Sequence, residues 1–427
     1  MGEGADRAAG AAGGVADVRE QDTMTDHCDR TGHDAGKGIL GWIDSRFPVI
    51  SAFRDEYVRF PMPRNLNVMW TVGAMLTVVL ALMMVTGLVL AMNFTATAEG
   101  AFASVEAITR RLPGGWLVRG MHMTGASLFM AALYVHLFRG LYYGSYKAPR
   151  EILWLFGMTL LLLVMGTAFA GYVLPWGQMS YWGADVAGKA VGAVPAIGPD
   201  LEKLFLGGDR PGDITLHHLF VLHWTLAFVV VAFVGLHVAA LHVPGPNNPE
   251  GVPPKKGETL PFHPYFTVKD GLGLVVFALI FAAVLFFLPN LIVEAENYRP
   301  ANPLHTPSDI EPEWYFLPFY AILQAVPSKF GGLVAAAGAI LVLFFLPWLD
   351  YSPVRSARHR PACRIGMIVL TVSFLLLGVA GKHHVQGVWL LVGQVATLCY
   401  FLYFLALLPI VSRREVNNLR LREGDAA

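Results

Sequence analysis

The sequence predicts an all-α, polytopic membrane protein: eight transmembrane helices, a four-helix core, and further short helices lying at the membrane interface. Three observations carry this. Of 427 residues, 55% are hydrophobic, and the mean hydropathy is +0.51, far above an ordinary soluble chain. Uncharged apolar runs exceed the roughly 20 residues that span a bilayer as a helix. Within two of those runs, histidines recur in pairs of identical spacing, His122 with His136 and His223 with His237.

The same composition excludes other classes. Formal net charge is +0, so no global field points to a nucleic-acid or acidic partner. The three cysteines, Cys28, Cys363 and Cys399, show neither CxxC nor CxxCH spacing, which leaves disulfide scaffolds, zinc ribbons and covalent c-type haem without support. Residues 1–37 are rich in Gly, Ala and Asp and have no apolar core. They read as a disordered extension and not as a signal peptide.

Taken in order, the apolar runs place spans at about 66–92, 119–141, 152–174, 216–243, 271–291, 331–349, 364–381 and 386–410. An N-terminal four-helix domain is expected over 38–250, a C-terminal one over 251–415, and a polar tail over 416–427. An even count leaves both termini on one side. Arg46, Arg54, Arg59, Arg64, Lys147, Arg150, Lys255, Lys256, Lys269, Arg355, Arg358, Arg360, Arg364, Arg413 and Arg414 cluster at that side. The opposite connections carry fewer cations, so the termini are expected in a bacterial cytoplasm, with the chain in the inner membrane.

Spans two and four must run parallel, because one span separates them. Each histidine pair is 14 residues apart, close to four helical turns, so its members share a face about 21 Å apart. His122 is then level with His223 and His136 with His237. A lone His in an apolar helix is more often a hydrogen-bonded core residue, but ionisable groups inside a bilayer tend to face a functional interior, and the spacing repeats. Ligands four turns apart cannot converge on one zinc ion. Two stacked bis-histidine haems, held by coordination and packing, fit better. Gly73 and Gly87 in span one, and Gly157 and Gly171 in span three, repeat the 14-residue interval. They suit close approach of a flat macrocycle to the backbone, or ordinary small-residue helix packing; spacing alone does not choose.

Two long connections on the outer side, 175–215 and 292–330, exceed the usual loop length and are read as functional, the first as short interfacial helices. In the second, Glu313 lies in Pro312-Glu313-Trp314-Tyr315. A carboxylate among aromatics is expected to hold its proton to higher pH and to accept one near neutrality, or else to be a rim carboxylate paired with a cation. On the inner side, His242, Lys269 and Asp270 offer donors and acceptors for a quinone, although each alone reads equally as a headgroup-level residue.

These residues resemble one family closely, cytochrome b of the quinol:cytochrome c oxidoreductase, or complex III. The strings that carry the resemblance are Gly120-Met121-His122 through Ser127, Arg139-Gly140-Leu141-Tyr142-Tyr143-Gly144-Ser145-Tyr146, Gly171-Tyr172-Val173-Leu174-Pro175-Trp176-Gly177-Gln178-Met179-Ser180, the Pro312–Tyr315 segment, and Phe262 to Asp270. The resemblance runs from about Trp42 to Val411. It implies a Q cycle. Quinol is oxidised at an outer site between Trp182-Gly183 and the Pro312–Tyr315 segment. One electron passes to a Rieske iron–sulfur partner, and the other through the outer to the inner haem, where a second quinone is reduced. It further implies two non-covalent b-type haems, His122 and His223 as ligands of the low-potential one and His136 and His237 of the high-potential one. Arg119 and Arg139 would pair haem propionates, Glu313 would accept the quinol proton and Tyr320 would line that site. His242, Lys269 and Asp270 would form the reduction site. Partners implied are the Rieske protein, a membrane-anchored c-type cytochrome and a second copy of the complex.

Departures from the family pattern are His217-His218 where an Arg is usual, Pro244 and Pro246 beside the reduction site, and Asp185 after Trp182-Gly183-Ala184. The alternative is a membrane-anchor di-haem cytochrome b of a dehydrogenase, without electron bifurcation. Such anchors have four or five spans and lack the Pro312–Tyr315 segment. The photosynthetic cytochrome bf type divides its chain after span four and carries an extra haem on a Cys at the start of span one, where this chain has Trp70.

Overall fold

The computed structural model describes residues 38–424; the extension 1–37, expected to be disordered, lies outside them. The described residues form two compact units: 38–60 together with 261–264, and 61–260 together with 265–424. The smaller unit holds α1 (Ile39–Asp44) and α2 (Val49–Phe53), followed by a π turn over Arg54–Val58. The Asp44 carboxylate accepts the N–H groups of Ile50 and Ser51 at 2.8 and 3.1 Å. It thereby caps α2, and the Ser51 bond foremost holds its pKa below the usual range. Ile39, Leu40, Trp42 and Phe47 are exposed on this unit, as expected of a segment lying at a lipid interface.

The larger unit opens with α3 (Val72–Ala91), α4 (Ala101–Arg111), α5 (Gly115–Tyr142), α6 (Glu151–Val173), α7 (Gln178–Gly192), α8 (Gly198–Leu206) and α9 (Asp213–His242). Then follow α10 (Tyr265–Phe287), α11 (Leu317–Ala325), α12 (Lys329–Phe344), α13 (Leu346–Leu349), α14 (Pro361–Lys382), α15 (Val388–Leu402) and α16 (Leu408–Gly424). Two short strands, β1 (Pro61–Pro63) and β2 (Thr259–Pro261), pair. The tightest helix pairs are α6 with α9 and α3 with α5, so each histidine-bearing helix lies against a glycine-bearing one. The 175–215 connection forms α7 and α8 as expected, whereas α4 is a short helix that hydropathy did not single out. Buried side chains from α5 and α6, such as Met130, Tyr134 and Leu161, share one core with Ile322, Leu370 and Phe404 from the later helices. Helices from before and after residue 250 therefore share one core within the larger unit.

Among the described residues, seven of the eight expected spans are helices long and apolar enough to cross a membrane, and the remaining one is a shorter apolar helix. The sixth expected span, 331–349, is divided into α12 and α13. Pro347 has no N–H to give to the carbonyl four residues back, that of Leu343, so the helix breaks. The Trp154 indole fills the gap, its Nε1–H donating to Leu343 O at 2.7 Å. Similarly, a π turn over Tyr403–Leu407 joins α15 to α16 just ahead of Pro409, and helix continues to Gly424 through most of the expected polar tail.

A buried ionic cluster ties the ends of these helices. Asp350, wholly enclosed, receives both Arg360 Nη1 at 2.7 Å and Lys147 Nζ at 3.0 Å, with the Tyr146 and Ser412 hydroxyls at 2.5 and 2.6 Å. Burial alone would raise the Asp350 pKa, but the Arg360 bonds and the Lys147 charge outweigh it and keep the carboxyl below its ordinary range. Removing one partner of such a pair strands a buried charge, at a cost of about 3–5 kcal/mol. Arg360→Met is therefore expected to shorten the thermal half-life of the detergent-purified protein sharply, whereas Arg358→Met, on an exposed pair with Glu250, leaves it nearly unchanged. Equal half-lives for the two variants would show that the cluster does not hold the fold.

Candidate functional site

α5 and α9 bring the histidines together in the two levels the spacing implied. The His122 and His223 rings lie 6.2 Å apart centre to centre at 71°, and those of His136 and His237 6.4 Å apart at 61°. A metal–imidazole bond of about 2 Å, plus about 1.1 Å from nitrogen to ring centre, puts two axial imidazoles about 6.3 Å apart. Both pairs fit a single iron between them. Among the described residues, no group of three or more His, Cys, Asp or Glu could hold a bare metal ion.

Hydrogen bonds orient the outer pair. His223 Nδ1 lies 2.8 Å from the Thr167 carbonyl. A carbonyl only accepts, so Nδ1 carries the proton and the Nε2 lone pair is free. His122 Nδ1 lies 2.9 Å from Thr86 Oγ1, whose own hydroxyl hydrogen goes to Leu82 O at 2.7 Å; the same tautomer follows. His136 Nδ1 is buried without a hydrogen-bond partner.

The glycines stand against the imidazoles. A Cβ on Gly171 would sit 2.6 Å from His223 Cε1, on Gly87 3.0 Å from His122 Cε1, and on Gly157 3.2 Å from His237 Cε1. Real Cβ atoms essentially never approach as closely as at Gly171, so that position admits the ring only because the side chain is missing, while at Gly87 and Gly157 a Cβ would force the imidazole to give by a few tenths of an ångström. Gly73, at 3.7 Å from His136 Cε1, is in ordinary contact. The 14-residue interval on α3 and α6 thus mirrors that on α5 and α9 because each glycine meets one histidine.

Donors with no protein acceptor lie near the inner pair. The Arg139 guanidinium stacks 4.4 Å from the Trp70 ring centre, and Arg139 Nε, Trp70 Nε1 and Ser145 Oγ are buried and unpaired. Buried donors ordinarily find acceptors, so this level suits a ligand bearing carboxylates. Trp70 and Ser145 were not picked out from sequence; the signal is spatial, since Trp70 precedes α3 and only folding lays it under Arg139. Arg119 is partly engaged already, donating to Thr109 Oγ1 at 2.8 Å with Glu106 Oε1 3.9 Å away.

A cavity of about 340 Å³ is lined by His122, His223, Gly87, Gly171 and Arg119 and, continuously with them, by Tyr172, Glu294, Asn297, Glu313, Trp314 and Tyr315. Glu313 keeps some accessible surface, which faces this cavity, while its Oε1 is enclosed and unpaired. Burial pushes its pKa up to about 8. Trp314 donates to Ser127 Oγ at 2.8 Å, and the Tyr134 hydroxyl to the Tyr315 carbonyl at 2.5 Å, fixing the segment to α5. Pro312 leads into it. Trp182, Gly183 and Tyr320 are not among the cavity-lining residues. A Cβ on Gly183 would sit 4.0 Å from Tyr172 Cε1, Trp182 Nε1 is buried and unpaired, and half-buried Tyr320 bonds Gln324.

The inner-side residues are less convergent. Lys269 donates to the Leu66 carbonyl and Asp270 adjoins Thr71, both at the foot of α3, while His242 Nδ1 turns back to Val238 O at 2.8 Å. The departures are also placed. Arg150 Nε takes up Gly245 O at 3.1 Å between the two prolines, His217 and His218 are exposed, and Asp185 is paired with Lys189 at 2.5 Å.

The chain is similar to known proteins over most of its length. The family model "Cytochrome b/b6/petB" matches residues 57–245, and "Cytochrome b(C-terminal)/b6/petD" matches 300–401. A cytochrome b of Rhodospirillum rubrum is 50% identical over 373 residues, covering 87% of this chain and 92% of that one. A cytochrome b/c1 of Bradyrhizobium diazoefficiens is 48% identical over 377 residues, 88% of this chain but 55% of that longer protein. Among solved structures, a chain of a hyperthermophilic respiratory complex III superposes with a TM-score of 0.84 at 35% identity, covering 88% of this chain and 99% of that one.

Proposed function

The chain belongs to the cytochrome b/b6 family, as the electron-transferring cytochrome b of a bc1-type complex III, and from that premise we propose that it oxidises quinol at the outer level, with one electron leaving to a Rieske iron–sulfur partner, and reduces quinone at the inner level. The observation that carries this reading is the single cavity shared by His122, His223 and Glu313. A substrate at the Glu313 end can lie against the proton acceptor and beside a group held by the outer imidazoles at once.

His122 with His223, and His136 with His237, would hold two b-type haems through Nε2, which supply one-electron relays across the membrane when bound. Arg139, Trp70 and Ser145 would hold carboxylates at the inner level and Arg119 at the outer. Glu313 takes the quinol proton on its carboxylate, which lines the cavity. Trp314 and Tyr315, pinned by Ser127 and Tyr134, hold Glu313 against the substrate, and the apolar walls exclude water that would otherwise short-circuit the transfer. Trp182 and Gly183, through Tyr172, and Tyr320 border the site. Lys269 and Asp270 would deliver protons at the inner site, with His242 swinging from Val238 O to meet the quinone. The chain would sit in a bacterial inner membrane with both termini cytoplasmic, beside a Rieske protein and a membrane-anchored c-type cytochrome, in a complex that dimerises.

A redox-titrated absorption spectrum of the assembled complex tests this. Two low-spin b-type centres per chain, titrating as separate components, are expected; fewer than two removes the electron path and the reading with it.

A further inference from the structure

The connection from α14 to α15 is built under backbone strain. His384 and Val385 both adopt left-handed conformations, at φ 51° and 49°, which a β-branched residue avoids. Val385 is anchored below: it is 5% exposed and its N–H donates to Ala380 O at 3.0 Å. Above, the turn presents two basic side chains to one segment. Lys382 Nζ reaches Glu294 Oε1 at 3.1 Å and also Glu311 Oε1, while His384 Nε2 lies 3.5 Å from Asp309 Oδ1. All three carboxylates belong to the connection that carries Glu313. Glu294 lines the cavity with Glu313, and Glu311 is separated from Glu313 only by Pro312, whose ring fixes φ. Movement of Glu311 is therefore passed on to Glu313.

We propose that Lys382 is a positioning residue for quinol oxidation, holding Glu313 in the cavity through Glu311. This rests on the function proposed above. The bond to Glu294 contributes little, since both side chains are about half exposed and solvent screens such pairs. The Glu311 bond decides: that side chain is 8% exposed, its Oε2 has no partner, and without Lys382 it becomes an unpaired buried carboxylate that must move.

The test uses the assembled complex, with short-chain ubiquinol and menaquinol as substrates, and compares Lys382→Met, Lys382→Arg, Glu311→Gln, the Lys382→Met/Glu311→Gln double variant and Glu313→Gln. Misplacing an acid–base group by about 1 Å costs up to about a hundredfold in rate. Lys382→Met is expected to lower kcat at least about tenfold, with KM and the content of both haems unchanged, and Lys382→Arg to restore most of it. Glu311→Gln also slows turnover, and the double variant is no slower than the slower single one, because both remove one contact. Wild-type kcat in Lys382→Met or in Glu311→Gln, or effects that multiply in the double variant, overturns the clasp. If Glu313→Gln turns over at the wild-type rate, the parent reading fails; slow Glu313→Gln beside fast Lys382→Met sinks the clasp alone.

Discussion

His136→Leu yields a complex with one low-spin b centre fewer, and the centre that remains is the outer one. His136 faces His237 at 6.4 Å, its Nδ1 has no protein partner, and its removal leaves one axial ligand where two are required. Loss of a group that merely supports a ligand already costs about 10–100-fold in metal affinity, so losing the ligand itself should empty the inner level. The outer pair is held independently by Thr86 and Thr167 and lies about four helical turns away, roughly 21 Å, so its spectrum persists. Quinol oxidation then stalls after the first turnovers because the second electron has no onward site. Redox-resolved spectra of the variant decide the matter, and disappearance of the outer centre instead would invert the assignment of the two levels.

Glu313→Gln is expected to slow steady-state quinol oxidation about a hundredfold, the middle of the range for a positioned acid–base group, while both haem spectra stay intact. The amide fills the same space but cannot take a proton. The pH dependence carries the sharper sign. With its pKa pushed up to about 8 by burial, Glu313 is mostly protonated at neutrality and becomes an acceptor only as pH rises. The wild-type rate should therefore climb between about pH 6.5 and 8, and that rising limb should flatten in the Gln variant. The same shift works against stability: the folded state binds the proton more tightly than the unfolded, so this group's contribution falls as pH rises from the ordinary carboxylate range through about 8. An identical rate profile in both proteins would remove Glu313 from the proton path.

The four histidines and their facing glycines were legible because a helix converts a 14-residue interval directly into a shared face. What spacing could not supply was the object the glycines meet, since small residues serve cofactors and helix packing alike; the positions of Gly87, Gly157 and Gly171 against imidazole edges come from the fold. Glu313 was legible through its aromatic neighbours. The Asp350 cluster was not, because Tyr146, Lys147, Arg360 and Ser412 are scattered along the chain and each, alone, looks like a headgroup-level residue. Pro347 lay in plain view within the sixth span, yet hydropathy averages over it, so the break in that helix went unpredicted. The pairing of Asp185 with Lys189 is readable as an i,i+4 pair.

The indole bridging Trp154 to the carbonyl that Pro347 leaves open has a bearing on biogenesis. An unsatisfied carbonyl in lipid costs several kcal/mol, so the segment around Leu343 is a poor solitary insert. It becomes a good one only where Trp154 is already waiting in the bilayer, and the ribosome makes Trp154 first. The earlier helices thus act as a receiving dock for a later one that is incomplete by itself, and the order of synthesis matches the order in which the chain's backbone can be satisfied.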